Sequence, residues 1–171
     1  TAGTEKIEAV LENQEGVKKY AAENYEQRDI YFLGRGVDYA VALEGSLKLK
    51  EISYIHCDAY AGGELKHGPI ALIDKGTAVI TLLTQEALKD KMISNVREVS
   101  TRGGNIFAIA NQGDEIAKTV AEEVVYIPKT VDLLTPLVSV VPLQLLSYYV
   151  AKNKGCDVDK PRNLAKSVTV E

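Results

Sequence analysis

The chain has 171 residues, 46% of them hydrophobic and 26% charged, with a net charge of −4. That is enough for one domain with a full-sized core. The acidic balance gives no electrostatic footprint for nucleic acid. Two cysteines, Cys57 and Cys156, have neither metal nor redox spacing, so free thiols in a reduced, cytoplasmic setting are expected.

In chain order, Thr1–Gln27 shows two helical patterns, with Thr4 as a cap for Glu5–Asn13 and Gly16 dividing it from Val17–Glu26. The stretch Thr1–Tyr20 is polar and charged, which predicts no signal peptide. A first residue that is not Met, opening onto a helix, suggests a piece cut from a longer polypeptide, and processing would look the same. Asp29–Leu33 is a continuous apolar run ending in Gly34-Arg35-Gly36, which reads as strand, glycine turn and helix. The turn could offer backbone N–H groups to an anion at the helix start, though such turns are mostly just turns.

The next stretch, Ala42–Pro69, organises the rest. At ~100° per residue, Glu44, Lys48 and Glu51 fall within roughly 60° of one another on one helical face. Leu43 and Leu47 flank that stripe on one side, Val41 and Ile52 on the other. Apolar flanks around a charged stripe predict that it lines a cleft; simple i,i+3 and i,i+4 pairing is the plainer alternative. The stretch ends in Gly62-Gly63-Glu64-Leu65-Lys66-His67-Gly68-Pro69, a loop or short turn whose glycines let His67 approach a ligand closely.

Strands are predicted over Ala78–Leu83, Asn105–Ala110 and Val124–Ile127, with helices over Gln85–Arg102, around Glu115–Ala121, and on to about Asn153. Strands that are apolar throughout and alternate with helices indicate a parallel sheet covered on both faces, with ligands beyond the carboxyl ends of the strands. Leu133–Val150 carries no charge, but Pro136, Pro142, Gln144, Ser139 and Ser147 make it a core or subunit-contact helix rather than a membrane span. The tail from Asp157 to Glu171 reads as an extended run, because Pro161 blocks a helix. On composition alone it would be a frayed end.

Two of these stretches, LEGSLKLKEISYIHCDAYAGGELKHGP and DVDKPRNLAKSVTVE, closely resemble one family. They are similar to the second sugar-isomerase (SIS) subdomain and the C-terminus of the glutamine–fructose-6-phosphate aminotransferases, the glucosamine-6-phosphate synthases. The resemblance runs from about Ile30 to Glu171. It implies a single α/β SIS domain: a flavodoxin-like, three-layer α/β/α sandwich with a five-stranded parallel sheet. Its helices would span 1–28, its core 29–155, and its tail, 156–171, would lie over a sugar site. The implied activity converts fructose 6-phosphate and glutamine-derived ammonia to glucosamine 6-phosphate.

By residue match, Glu51 is implied as the base moving a proton between C1 and C2, His67 as the ring-opening group, and Lys166 as the amine meeting the open-chain ketone. Glu44, Lys48, Arg162 and Ala165 would be accessory or substrate-binding residues. Such chemistry suits a histidine titrating near neutrality, a lysine that condenses with a ketone, and a positioned carboxylate. The resemblance implies no metal or organic cofactor. It implies a homodimer in which the histidine comes from the neighbouring subunit. It also implies a separate glutaminase domain and a first SIS subdomain, neither of which this chain matches. The serine- and threonine-rich phosphate loop of that first subdomain is missing too; Leu83-Thr84-Gln85-Glu86 is the nearest stretch. The alternatives are a non-catalytic phosphosugar-binding SIS module, or another SIS-fold isomerase or deglycase.

Overall fold

The computed structural model describes residues 2–164. Five strands form one sheet: β1 (Asp29–Gly34), β2 (His56–Ala61), β3 (Ala78–Leu83), β4 (Asn105–Asn111) and β5 (Glu123–Ile127). Their order is β2-β1-β3-β4-β5 and every pairing is parallel. The helices are α1 (Ala2–Glu12), α2 (Glu15–Asn24), α3 (Val37–Ser53), α4 (Lys89–Ser100) and α5 (Thr135–Asn153), with single 3-10 turns between.

Strand alternation divides the core in two. On one face Phe32, Ile80 and Phe107 pack with Leu49 of α3 and Leu143 and Leu146 of α5. On the other, Leu33, Val79 and Ile106 pack with Met92 and Val96 of α4. The central strands are therefore mostly apolar, with Thr81 a buried exception in β3, because water reaches neither face. The three-layer sandwich is the expected architecture.

Several local expectations change. Thr4 lies inside α1, which begins at Ala2, rather than capping it. Gly16 lies inside α2 rather than between two helices, and the missing side chain leaves room for Glu123 and Val125 of β5. The fourth helix starts at Lys89, after a 3-10 turn over Glu86–Leu88, rather than at Gln85. Residues 157–160 bend instead of running extended: the Asp157 carboxylate accepts from the amides of Asp159 and Lys160.

The segment Asp132–Asn153 is long and apolar enough to cross a membrane by length and composition, yet half of it is buried in the fold. Val138, Leu143, Leu146 and Val150 face the core, while Leu133 and Leu137 are exposed. Its neighbour α3 carries Gly45 at the contact. A Cβ there would lie 2.5 Å from Leu143 Cδ1, so only glycine admits this leucine as placed.

Candidate functional site

The helix that carries the charged stripe begins at the carboxyl end of β1 and runs back beside the sheet. Lys48 Nζ lies 2.7 Å from Glu51 Oε2 and 3.7 Å from Glu44 Oε1. The Glu51 carboxylate, hydrogen-bonded to Lys48, holds the ammonium above the ordinary lysine range. The stripe is half-exposed rather than enclosed, and Leu43 and Leu47 beside it are exposed. So the charge pairing is present, and among the described residues of this single chain the stripe borders two shallow grooves. Glu44 borders both, one of about 300 Å³ against Leu137 and Val140 of α5, and one of about 370 Å³ over Leu43 and Leu47. A further depression, about 470 Å³, lies at the amino ends of β1 and β3 between Glu23, Asp29 and Leu72. It contains none of the residues singled out in the sequence.

Glu51 stands in the last turn of α3, level with the amino end of β2, where His56 pairs with Asp29. His67 follows the carboxyl end of β2, in a 3-10 turn, and is exposed. The six residues of β2 put about 20 Å between those two ends. The fold therefore separates Glu51 from His67 within one chain. The glycines before His67 serve the protein's own packing. A Cβ at Gly62 would meet Met92 Sδ at 2.8 Å, and one at Gly63 would meet an Arg35 guanidinium nitrogen at 2.8 Å.

At the carboxyl ends, a carboxylate from the helix that follows the glycine turn is tied to the end of the neighbouring strand β3. Asp38, in the first turn of α3, is buried and accepts hydrogen bonds from the Thr84 amide, at 2.8 Å, and from the Thr84 hydroxyl. Burial pushes its carboxyl up, against the pull of those donors. The Asp38 and Tyr39 amides are already used, donating to the carbonyls of Arg35 and Gly36. Thr84, the hydroxyl in the nearest phosphate-loop candidate, is thus tied inside the protein. Sequence patterns gave no signal of this Asp38–Thr84 tie, since the partners are 46 residues apart.

The tail reaches the Glu51 end of α3. Arg162 N–H donates to Tyr54 Oη at 2.9 Å, and the Arg162 guanidinium lies 4.2 Å from the centroid of that ring. Tyr54 caps α3 immediately beyond the Glu51 turn. Arg162 is therefore held at the end of the helix that bears Glu51 and Lys48. Ala165 and Lys166 lie outside the described residues.

The SIS domain family matches residues 25–153. The chain is 64% identical over 167 residues to the glutamine–fructose-6-phosphate aminotransferase (isomerizing) of Clostridium tetani, and 54% identical over 165 residues to that of Thermus thermophilus. Those matches cover 98% and 96% of this chain, but it spans only 28% and 27% of the two relatives. A solved C-terminal domain of glucosamine-fructose-6-phosphate aminotransferase from Francisella tularensis superposes with a TM-score of 0.83 at 39% identity, over 90% of this chain and 43% of that one. The chain belongs to the SIS domain family, and its match is to a SIS subdomain of the glutamine–fructose-6-phosphate aminotransferases.

Proposed function

We propose that this domain is the isomerase half-site of a glucosamine-6-phosphate synthase, acting on fructose 6-phosphate and ammonia released from glutamine. The observation that carries the reading is the Lys48–Glu51 pair at 2.7 Å, on the open face of a helix whose end also holds the tail. Glu51 is the base that moves a proton between C1 and C2. Lys48 and Glu44 set the charge around it. Lys166 is the amine that meets the ketone, with Arg162 and Ala165 beside it on the tail. His67 opens the sugar ring.

The separation of Glu51 from His67 along β2 supports a homodimer in which each site takes its histidine from the other subunit. The phosphate is held by a first SIS subdomain, because Thr84 is committed to Asp38. Ammonia comes from a glutaminase domain of the same polypeptide. We place the protein in the cytoplasm, in keeping with its free thiols, Cys57 and Cys156.

The test is a graft: this chain replaces the matching 167 residues of the Clostridium tetani aminotransferase. The graft is expected to make glucosamine 6-phosphate from fructose 6-phosphate and glutamine, and the isolated domain is expected to make none. A soluble graft that hydrolyses glutamine yet yields no amino sugar overturns the proposal.

The shared site has its own test. Glu51→Gln and His67→Ala grafts, each inactive alone, are unfolded together and refolded as a mixture. One intact site then forms in every mixed dimer, so about a quarter of the unmutated activity returns if subunits pair at random. If mixing restores nothing while mixed dimers form, the histidine does not cross between subunits.

A further inference from the structure

Tyr54 occupies a position where a side chain is costly. It is the residue just past α3, its φ is +61° and its ψ 18°, and its N–H donates to Lys50 O. A left-handed residue that ends a helix is usually glycine, because any Cβ crowds the following carbonyl. A tyrosine held there marks a place where the side chain does something that glycine cannot. What it does is visible across 108 residues of sequence. The phenol oxygen accepts the Arg162 amide proton, and the ring carries the Arg162 guanidinium on its face. The chain turns immediately afterwards at Asn163, also left-handed with φ of +61°, a conformation asparagine tolerates.

We propose that Tyr54 is a positioning residue for the sugar site, clasping Arg162 so that the tail starts from a fixed point at the Glu51 end of α3. The inference rests on the assignment of Glu51 as the base. The clasp uses one group from each side of the site. Helix α3 supplies the carboxylate and, three residues on, the tyrosine; the tail supplies the arginine. Loss of the clasp would therefore free Arg162 from its fixed place at the end of the helix that bears Glu51. A displacement of about 1 Å can cost up to ~10²-fold in rate.

Two variants separate the clasp from the fold. Tyr54→Phe keeps the ring and removes the acceptor. Tyr54→Gly removes the clasp but gives the helix end the residue its backbone favours. In the 171-residue chain, amide hydrogen exchange followed by NMR is expected to show Arg162 N–H protected in the unmutated protein and much faster in both variants. The melting temperature of Tyr54→Gly is expected to stay level or rise. In the graft, both variants are expected to slow solvent-hydrogen exchange at C1 of fructose 6-phosphate at saturating sugar, by up to ~10²-fold. A merely structural tyrosine would leave that rate per folded molecule unmoved.

Equal Arg162 protection in all three proteins overturns the clasp. Undiminished C1 exchange in the tyrosine variants, with Glu51→Gln still defective, overturns the positioning role while the site assignment stands. Undiminished exchange in Glu51→Gln as well removes the base, and the role of Tyr54 falls with it.

Discussion

Glu51→Gln in the graft is expected to lower solvent-hydrogen exchange at C1 of fructose 6-phosphate by ~10²–10⁴-fold, the usual loss when a positioned base is removed. Glutamine keeps the volume and one acceptor oxygen but takes no proton at neutral pH. The partner Lys48 Nζ, 2.7 Å away, retains an oxygen to donate to, so the helix surface changes little. The defect should therefore appear in kcat for the sugar, with KM nearly level. Glutamine hydrolysis, which runs on another domain, should persist. If the stripe were only a charge pair on a helix, the same change would remove about 0.3–0.5 kcal/mol and leave the exchange rate alone. Direct measurement of C1 exchange separates the two, because it follows the proton and does not depend on ammonia delivery. An exchange rate equal to that of the unmutated graft would leave Glu51 as a surface feature.

The parts of this protein that the sequence makes legible are those whose residues answer to one environment. Ala78–Leu83 is buried at every position, so its apolar run reads as an interior strand at once. The edge strand β2 does not read so, although the other edge, β5, does. His56–Ala61 mixes His, Cys, Asp and Tyr because it pairs on one side only and is half-exposed, leaving no continuous run to recognise. Residue chemistry at the site is equally visible, but its arrangement is not. Glu51 and His67 are sixteen residues apart in sequence, which suggests neighbours; strand β2 lies between them and carries the chain from the amino to the carboxyl end of the sheet. Contacts between distant segments leave no local trace. Nothing near Tyr54 announces that it meets Arg162, and nothing near Asp38 announces that it will bind Thr84. Gly62 and Gly63 read as room for a ligand, whereas that room belongs to Met92 and Arg35.

Gly45 puts the same lesson in energetic terms, since local propensity and packing predict opposite signs for one substitution. Glycine inside a helix is worse than alanine by up to ~1 kcal/mol, so α3 considered alone predicts that Gly45→Ala stabilises. In the fold, the new Cβ would stand 2.5 Å from Leu143 Cδ1 and 3.2 Å from Leu143 Cβ. Overpacking of this kind costs ~1–3 kcal/mol, so the net effect of Gly45→Ala should be destabilising. Leu143 is 1% exposed, and Leu143→Ala should cost ~2–5 kcal/mol through lost burial and the cavity it leaves. The pair should not add. With Leu143 cut to alanine, the worst contact disappears, and the methyl group introduced by Gly45→Ala enters the vacated space. The remaining 3.2 Å contact with the residue-143 Cβ requires only a small shift between α3 and α5. Gly45→Ala is therefore expected to change sign, destabilising the unmutated protein and stabilising the Leu143→Ala protein, with a coupling of ~0.5–3 kcal/mol. Urea denaturation of the four proteins at equal slope measures this directly. Stabilisation by Gly45→Ala in both backgrounds would mean that α3 and α5 do not meet through this contact. The helix bearing Glu51 would then be held in place by something other than the fit of Leu143 against bare backbone.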